Sequence, residues 1–258
     1  DGTIDTFLET HEEYKDTAKR VIAYILLKKE IRDNVMHPII SEGQKPEQNS
    51  DWYPEILRMM QSSGVGQFTS NKVSFITFNY DRSLEHFFYA ALTTRNRPQV
   101  TTEAWVDVIR KIPIVHIHGD LGAYYELGDK NDPARVGFNT KITELTIRLA
   151  GERIRVIHEK DAMLDQNYKS ARSLVQNAQF VFFLGFGYDE RNLRRLQLKP
   201  VLNPQARVEG TGLGLTPAIK ARIQSLSGGV IHQDSIREFN CLAFLRESHA
   251  AQQIYEIH

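Results

Sequence analysis

One cysteine, Cys241, is all the thiol chemistry the 258 residues hold. A lone thiol closes no internal disulfide and builds no thiolate zinc cluster, so a reducing, cytoplasmic setting is expected. Long apolar runs are missing too. The longest aliphatic stretch, residues 21–27, falls far short of the roughly 20 residues that a membrane helix needs. The N-terminal residues are polar and acidic, without the basic-then-apolar order of a signal peptide. No charge of one sign dominates, since Lys plus Arg and Asp plus Glu number 32 each. A protein built to grip a phosphate backbone normally carries a basic excess, so neither nucleic acid nor membrane is an expected partner. Repeats and low-complexity tracts are absent. At 41% hydrophobic and 25% charged residues, the chain has a globular composition and enough length for a substantial core, which excludes disorder and collagen-like structure.

What is present is a change of pattern. Ile4, Phe7, Leu8, Tyr14, Ala18, Val21, Ile22, Ile25 and Leu26 recur at helical spacing and predict an amphipathic helix over the first thirty residues, capped at Thr3 or Asp5. Residues 41–50 read as a polar loop, and a short helix is expected from about Pro54 to Gly64. Beyond residue 70, short runs rich in Val, Ile and Phe take over at 73–78, 113–118, 180–186 and 206–212, with helical patterns at 82–92, 168–178, 190–198 and 217–226. Near-continuous apolar strands alternating with helices predict a parallel sheet covered on both faces. The expected fold is α/β, a doubly wound, mostly parallel Rossmann-like sheet with helices on both faces and a helical insertion. The whole of 1–258 reads as one domain: a helical portion at 1–70 and a core at 71–258, interrupted at about 122–165.

In such a sheet ligands bind beyond the carboxyl ends of the strands. That rule selects Phe78-Asn79-Tyr80-Asp81, His118-Gly119-Asp120 and Gly185-Phe186-Gly187-Tyr188-Asp189. Asp81 also suits an Asx cap on the helix that follows, a role compatible with ligand binding. His116 and His118 are two apart and would share a strand face. With Asp120 they form His-x-His-x-Asp, which admits a metal reading, but the fuller His-x-His-x-Asp-His signature fails at Leu121. His118, next to a glycine, is the favoured chemical residue, and His116 a buried supporting one. The Gly185-x-Gly187 turn suits a backbone cradle for ribose or phosphate. Gly210-x-Gly212-x-Gly214 lacks a helix directly after its third glycine and is not a standard dinucleotide loop. His11, His37, His86 and His249 read as solvated, Trp52 and Trp105 as helix anchors, and Arg191, Arg194 and Arg195 as a solvated helix face.

Together these segments resemble the sirtuin superfamily, in particular its zinc-free, sirtuin-like NAD-hydrolase branch. Thr77-Phe78-Asn79-Tyr80-Asp81 is similar to the Thr-x-Asn-x-Asp motif, and Val115-His116-Ile117-His118-Gly119 to the strand ending in His-Gly. Leu184-Gly185-Phe186-Gly187-Tyr188-Asp189-Glu190-Arg191-Asn192-Leu193 is similar to the branch's third segment, and the match spans roughly 73–226. The resemblance implies an NAD+ hydrolase that cleaves the nicotinamide N-glycosidic bond, and a place among effectors of bacterial antiphage defence. It implies Asn79 as the residue orienting water or ribose, and His118 as general base. A histidine's ordinary pKa of about 6.5 leaves it largely neutral for that task. It implies Asp81 on the carboxamide, with Thr77, Gly119, Gly185, Gly187, Asp189, Gly210 and Thr211 lining the dinucleotide. NAD is then a substrate, and no zinc is expected because the four-cysteine ribbon of the deacylases is missing. The family's opening strand and Gly-Ala-Gly loop would precede the first helix, and no such segment stands before Ile4. Further domains, partner subunits or a homo-oligomer are expected. The alternatives are a non-catalytic NAD or ADP-ribose sensor, an NAD-dependent deacylase and a metal-dependent hydrolase on His116, His118 and Asp120.

Overall fold

The computed structural model describes residues 8, 10–32, 51–60, 65–93, 101–124, 127–128, 131–133, 135–156 and 162–256. The polar loop at 41–50, the cap at Thr3 or Asp5, the helix end at Gly64 and His37 lie outside them. The chain is mixed α/β and divides into two compact units. One comprises Asp1–Ser41 and Ser62–Asn167; the other comprises Glu42–Gln61 and Tyr168–His258. No described helix is long and apolar enough to cross a membrane.

The first unit is built on two strands, β1 (Phe75–Thr77) and β2 (Ile114–His116), paired in parallel with Phe75 opposite Ile114 and Thr77 opposite His116. Parallel neighbours need a long crossover. Here it includes helices α4 (Ser83–Thr93) and α5 (Thr102–Ile109), which bury Phe87, Phe88, Leu92, Trp105 and Ile109. They follow α1 (Lys15–Arg32), α2 (Tyr53–Met59) and α3 (Val65–Phe68) in chain order. The anchor role expected of Trp105 holds: it is 1% exposed and meets Phe68 edge-on at 5.9 Å.

Helix α1 packs on α6 (Glu144–Arg153), and Ile22 and Leu26 of its expected apolar face lie against the shared core. Ala23, Leu27, Ala150 and Ile154 form that core, and the Gly151 backbone comes close to Arg20. Tyr14, Val21 and Ile25, expected on the apolar face, are instead about half exposed, at 50%, 48% and 49%. The inward stripe combines Ile22, Ala23, Leu26 and Leu27 with Glu30, which turns inward to meet Arg82. Over 122–137, where an excursion loop is expected, the described residues include no helix or strand. The expected helical insertion is represented by α6 and by the start of α7 (Ala162–Gln176).

In the second unit β3 (Phe180–Phe183), β4 (Arg207–Thr211) and β5 (Ile236–Arg237) form a parallel ladder in that order. Helices α8 (Glu190–Leu196), α9 (Leu198–Val201), α10 (Pro217–Leu226), α11 (Cys241–Glu247) and α12 (His249–Glu256) complete it. Its core gathers Met59, Phe244, Leu245 and Ala251 against Trp52, Ile56 and Phe182. All four strands expected from apolar runs are shorter than those runs. β3 stops at Phe183 because Gly185 enters the left-handed region (φ +59), and β2 stops at His116 because residues 117–118 turn.

Candidate functional site

At the carboxyl ends of β1 and β2 the chain leaves the ladder in two adjoining turns. Ile117 N still donates to Thr77 O at 2.9 Å, and then Gly119 N donates back to His116 O at 3.2 Å. The strand alternation therefore ends before His118, so the two histidines do not share a strand face as expected. They do converge on the same segment. His118 is 6% exposed, and its ring stands against Phe78 (centroids 5.7 Å apart) and Tyr80 (6.3 Å), on either side of Asn79. His116 Nδ1 donates to the Asn79 carbonyl at 3.0 Å. Asn79 is itself exposed.

This pair of turns is held from several directions. Asn167 Nδ2 donates to the carbonyls of His116 (2.9 Å) and Ile117 (3.1 Å), and Arg155 N donates to His118 O at 2.7 Å. Gly119 has φ +79, and a Cβ on it would stand 2.0 Å from the Arg153 carbonyl oxygen. Its α-carbon thus faces protein backbone, and the chain crossing there requires glycine. Thr77 Oγ1 accepts from Asn79 N at 3.1 Å. Asp81 is a cap, as expected: its Oδ1 accepts from Ser83 N at 3.1 Å and from the Ser83 hydroxyl, starting α4.

His116 is buried and its Nε2 meets Glu85 Oε1 at 2.8 Å. Burial pushes the imidazole toward neutrality. The Glu85 hydrogen bond and charge outweigh that effect, and with Asp120 and the Asn79 carbonyl they lift its pKa to about 9. The fold holds the protonated ring, so this stabilisation is complete below the unfolded value of about 6.5 and fades as pH rises through about 9. A loss of roughly 2–3 kcal/mol between those limits is expected, relative to a His116→Gln variant, from urea unfolding at pH 6.5 and 9.5. A difference that does not change with pH would contradict the assignment.

Both His116 nitrogens are therefore engaged. Asp120 Oδ1 is engaged as well, accepting from Gly122 N at 2.7 Å and Arg153 Nε at 3.1 Å. His116, His118 and Asp120 do not assemble as metal ligands: among the described residues no group of three or more His, Cys, Asp or Glu could hold a metal ion.

The other predicted residues lie in the second unit and form their own cluster. Gly185 N donates to Thr211 Oγ1 at 2.9 Å, and Thr211 Oγ1 reaches the Phe183 carbonyl at 3.3 Å. Tyr188, itself left-handed (φ 51), donates its hydroxyl to Thr211 O at 3.0 Å. Gly210 makes room for that tyrosine, since a Cβ there would stand 2.3 Å from the Tyr188 hydroxyl oxygen. Thr211 is buried at 6% exposure and ties β4 to the turn after β3, so its hydroxyl is committed within the protein. Gly185, Gly187 and Asp189 are exposed, and Gly187 has open space about its α-carbon. Asp189 Oδ1 caps α8 by accepting from Arg191 N and Asn192 N, both at 3.0 Å. Arg195 is not simply solvated, because its guanidinium lies over the Tyr168 ring at 4.6 Å.

Sequence reasoning missed three contributors. Glu85 was legible only as a first-turn helix acid. Arg82 was read as the start of a helix, yet it is 1% exposed and its guanidinium donates to both Glu30 oxygens and to the carbonyls of Gly122, Val136 and Gly137. His86 was read as solvated but stacks on Phe138 at 4.2 Å and meets the Tyr124 hydroxyl at 3.0 Å. None of these pairings has a local sequence signature, since the partners lie about 30 to 55 positions apart. Compared with protein-family models, curated proteins and solved structures, the chain matches none of them.

Proposed function

We propose that this chain is an NAD+ hydrolase whose Asn79 and His118 act on the ribose bearing nicotinamide. The observation that carries the reading is the convergence of these two residues, 39 positions apart by number, at the ends of adjacent parallel strands. There the His118 ring rests on both neighbours of an exposed Asn79. The order of the three motifs, similar to that of sirtuin-like domains, supports the same reading. So does the parallel ladder with helical crossovers in the first unit, which is the local element from which doubly wound, Rossmann-like layers are made.

The chemistry is a substitution at the anomeric carbon. The glycosidic C–N bond breaks and its electrons go to the pyridinium nitrogen, releasing neutral nicotinamide from a cationic ring. Water supplies the new C–O bond, and its proton passes to His118 as general base. Asn79 orients that water or the ribose hydroxyl. Asp81 offers Oδ2 to the carboxamide, because Oδ1 is held by Ser83. The leaving group is good, so the protein has mainly to position the substrate and stabilise charge on the ribosyl ring. Incubation of the chain with NAD+ is expected to release nicotinamide and ADP-ribose in equal amounts. Binding of NAD+ by calorimetry without any release would instead make it a sensor and overturn the assignment.

A further inference from the structure

We propose that His116 and Glu85 form a positioning device for Asn79, acting through the Asn79 carbonyl; the proposal rests on reading Asn79 as a group that touches substrate. A neutral imidazole owns one N–H, yet here both ring nitrogens face oxygen: Asn79 O at 3.0 Å and Glu85 Oε1 at 2.8 Å. A carbonyl only accepts, so Nδ1 carries hydrogen. Nε2 of the protonated ring then donates to the Glu85 carboxylate, and loss of that proton would set a nitrogen lone pair against a carboxylate. Glu85 Oε2 is buried with no hydrogen-bond partner among the described residues, which leaves His116 as the group that answers its charge.

The result is a residue fixed on both sides of its α-carbon. Asn79 N–H is held by Thr77 Oγ1 at 3.1 Å and Asn79 C=O by His116, while the residue as a whole is exposed. Fixing those torsions beforehand removes an ordering cost from reaching the reacting geometry in the bound complex. The spacing Asn79, Asp81, Glu85 acquires a single meaning. Asp81 starts α4, and the first turn of α4 presents the carboxylate that orients His116.

Two substitutions separate the roles by the nitrogen each one imitates. His116→Asn keeps an amide N–H near the Nδ1 position and gives up Glu85. His116→Gln keeps a donor for Glu85 and gives up the Asn79 carbonyl. With NAD+, His116→Gln is expected to lower kcat on the order of 10²-fold with KM little changed, and His116→Asn, which keeps the donor to the carbonyl but loses the Glu85 tether, to lose markedly less. Equal losses in both variants that follow their unfolding midpoints would make the pair merely structural and overturn the proposal. Backbone and side-chain amide signals of Asn79, recorded by 15N NMR without substrate, are expected to move in His116→Gln and to stay in His116→Asn. If the unaltered chain releases no nicotinamide, the reading of the site falls. The amide signals then decide the positioning role alone: movement in both variants alike, or in neither, overturns it.

Discussion

Arg82→Leu is expected to destabilise the chain by about 3–5 kcal/mol, the cost of breaking a buried ion pair from one side. Five hydrogen bonds leave this guanidinium, two to Glu30 and one each to the carbonyls of Gly122, Val136 and Gly137. Five N–H groups are all that an arginine owns, so every donor is used. Leucine would leave three carbonyls without that donor and a carboxylate buried alone. Burial already pushes the Glu30 carboxyl up, and the Arg82 guanidinium pulls it back. The double substitution Glu30→Leu with Arg82→Leu is therefore expected to cost less than Arg82→Leu by itself, because the lone buried charge is gone. Urea unfolding of the three variants checks this. A single variant within about 1 kcal/mol of the parent, or a double variant worse than the single, would contradict it. The consequence reaches the site, because Arg82 follows Asp81 directly and fastens the 122–137 segment to the residue from which α4 departs.

His118→Ala is expected to reduce nicotinamide release by roughly 10²–10⁴-fold, the usual contribution of a positioned general base. The ring is nearly buried between Phe78 and Tyr80, so alanine also removes packing. His118→Gln tells the two losses apart. It fills most of the space and hydrogen-bonds, but accepts no proton near neutral pH. Its unfolding midpoint is expected to lie near that of the parent while its activity falls as far as that of the alanine variant. Recovery of turnover in His118→Gln would assign the histidine to packing.

The two classes of feature differ in how far the chain reveals them locally. Apolar runs at 73–78 and 113–118 identify β1 and β2, because β-branched and aromatic residues suit a pleated, half-buried surface. Asp81, Asp189 and Thr101 behave as caps, their oxygens accepting from amides two or three residues on, and this is a local property of those side chains. Strand ends were less legible. Whether 117–118 or 184–186 continues a strand depends on where the chain turns, and glycines at 119 and 185 mark those turns only approximately. The inward face of α1 was least legible. The helix buries Leu27 and packs Ile22 and Leu26 inward as its pattern requires, yet it also buries Ala23 and Glu30 and exposes Val21 and Ile25. Its orientation is set by Gly151 and Arg82, far away along the chain. At the site, Asn79 and His118 were legible as strand-end residues, whereas Glu85 was not, because an acid in a first helical turn has many uses.

The central claim is that Asn79 and His118 serve one reaction at the ends of β1 and β2. A double-mutant cycle on kcat/KM for NAD+, using Asn79→Ala, His118→Gln and their combination, tests it most directly. Residues acting on one transition state are strongly non-additive, so the double variant is predicted to be scarcely slower than the worse single one. Losses that multiply independently, or nicotinamide release near the parent rate in the double variant, would contradict the account.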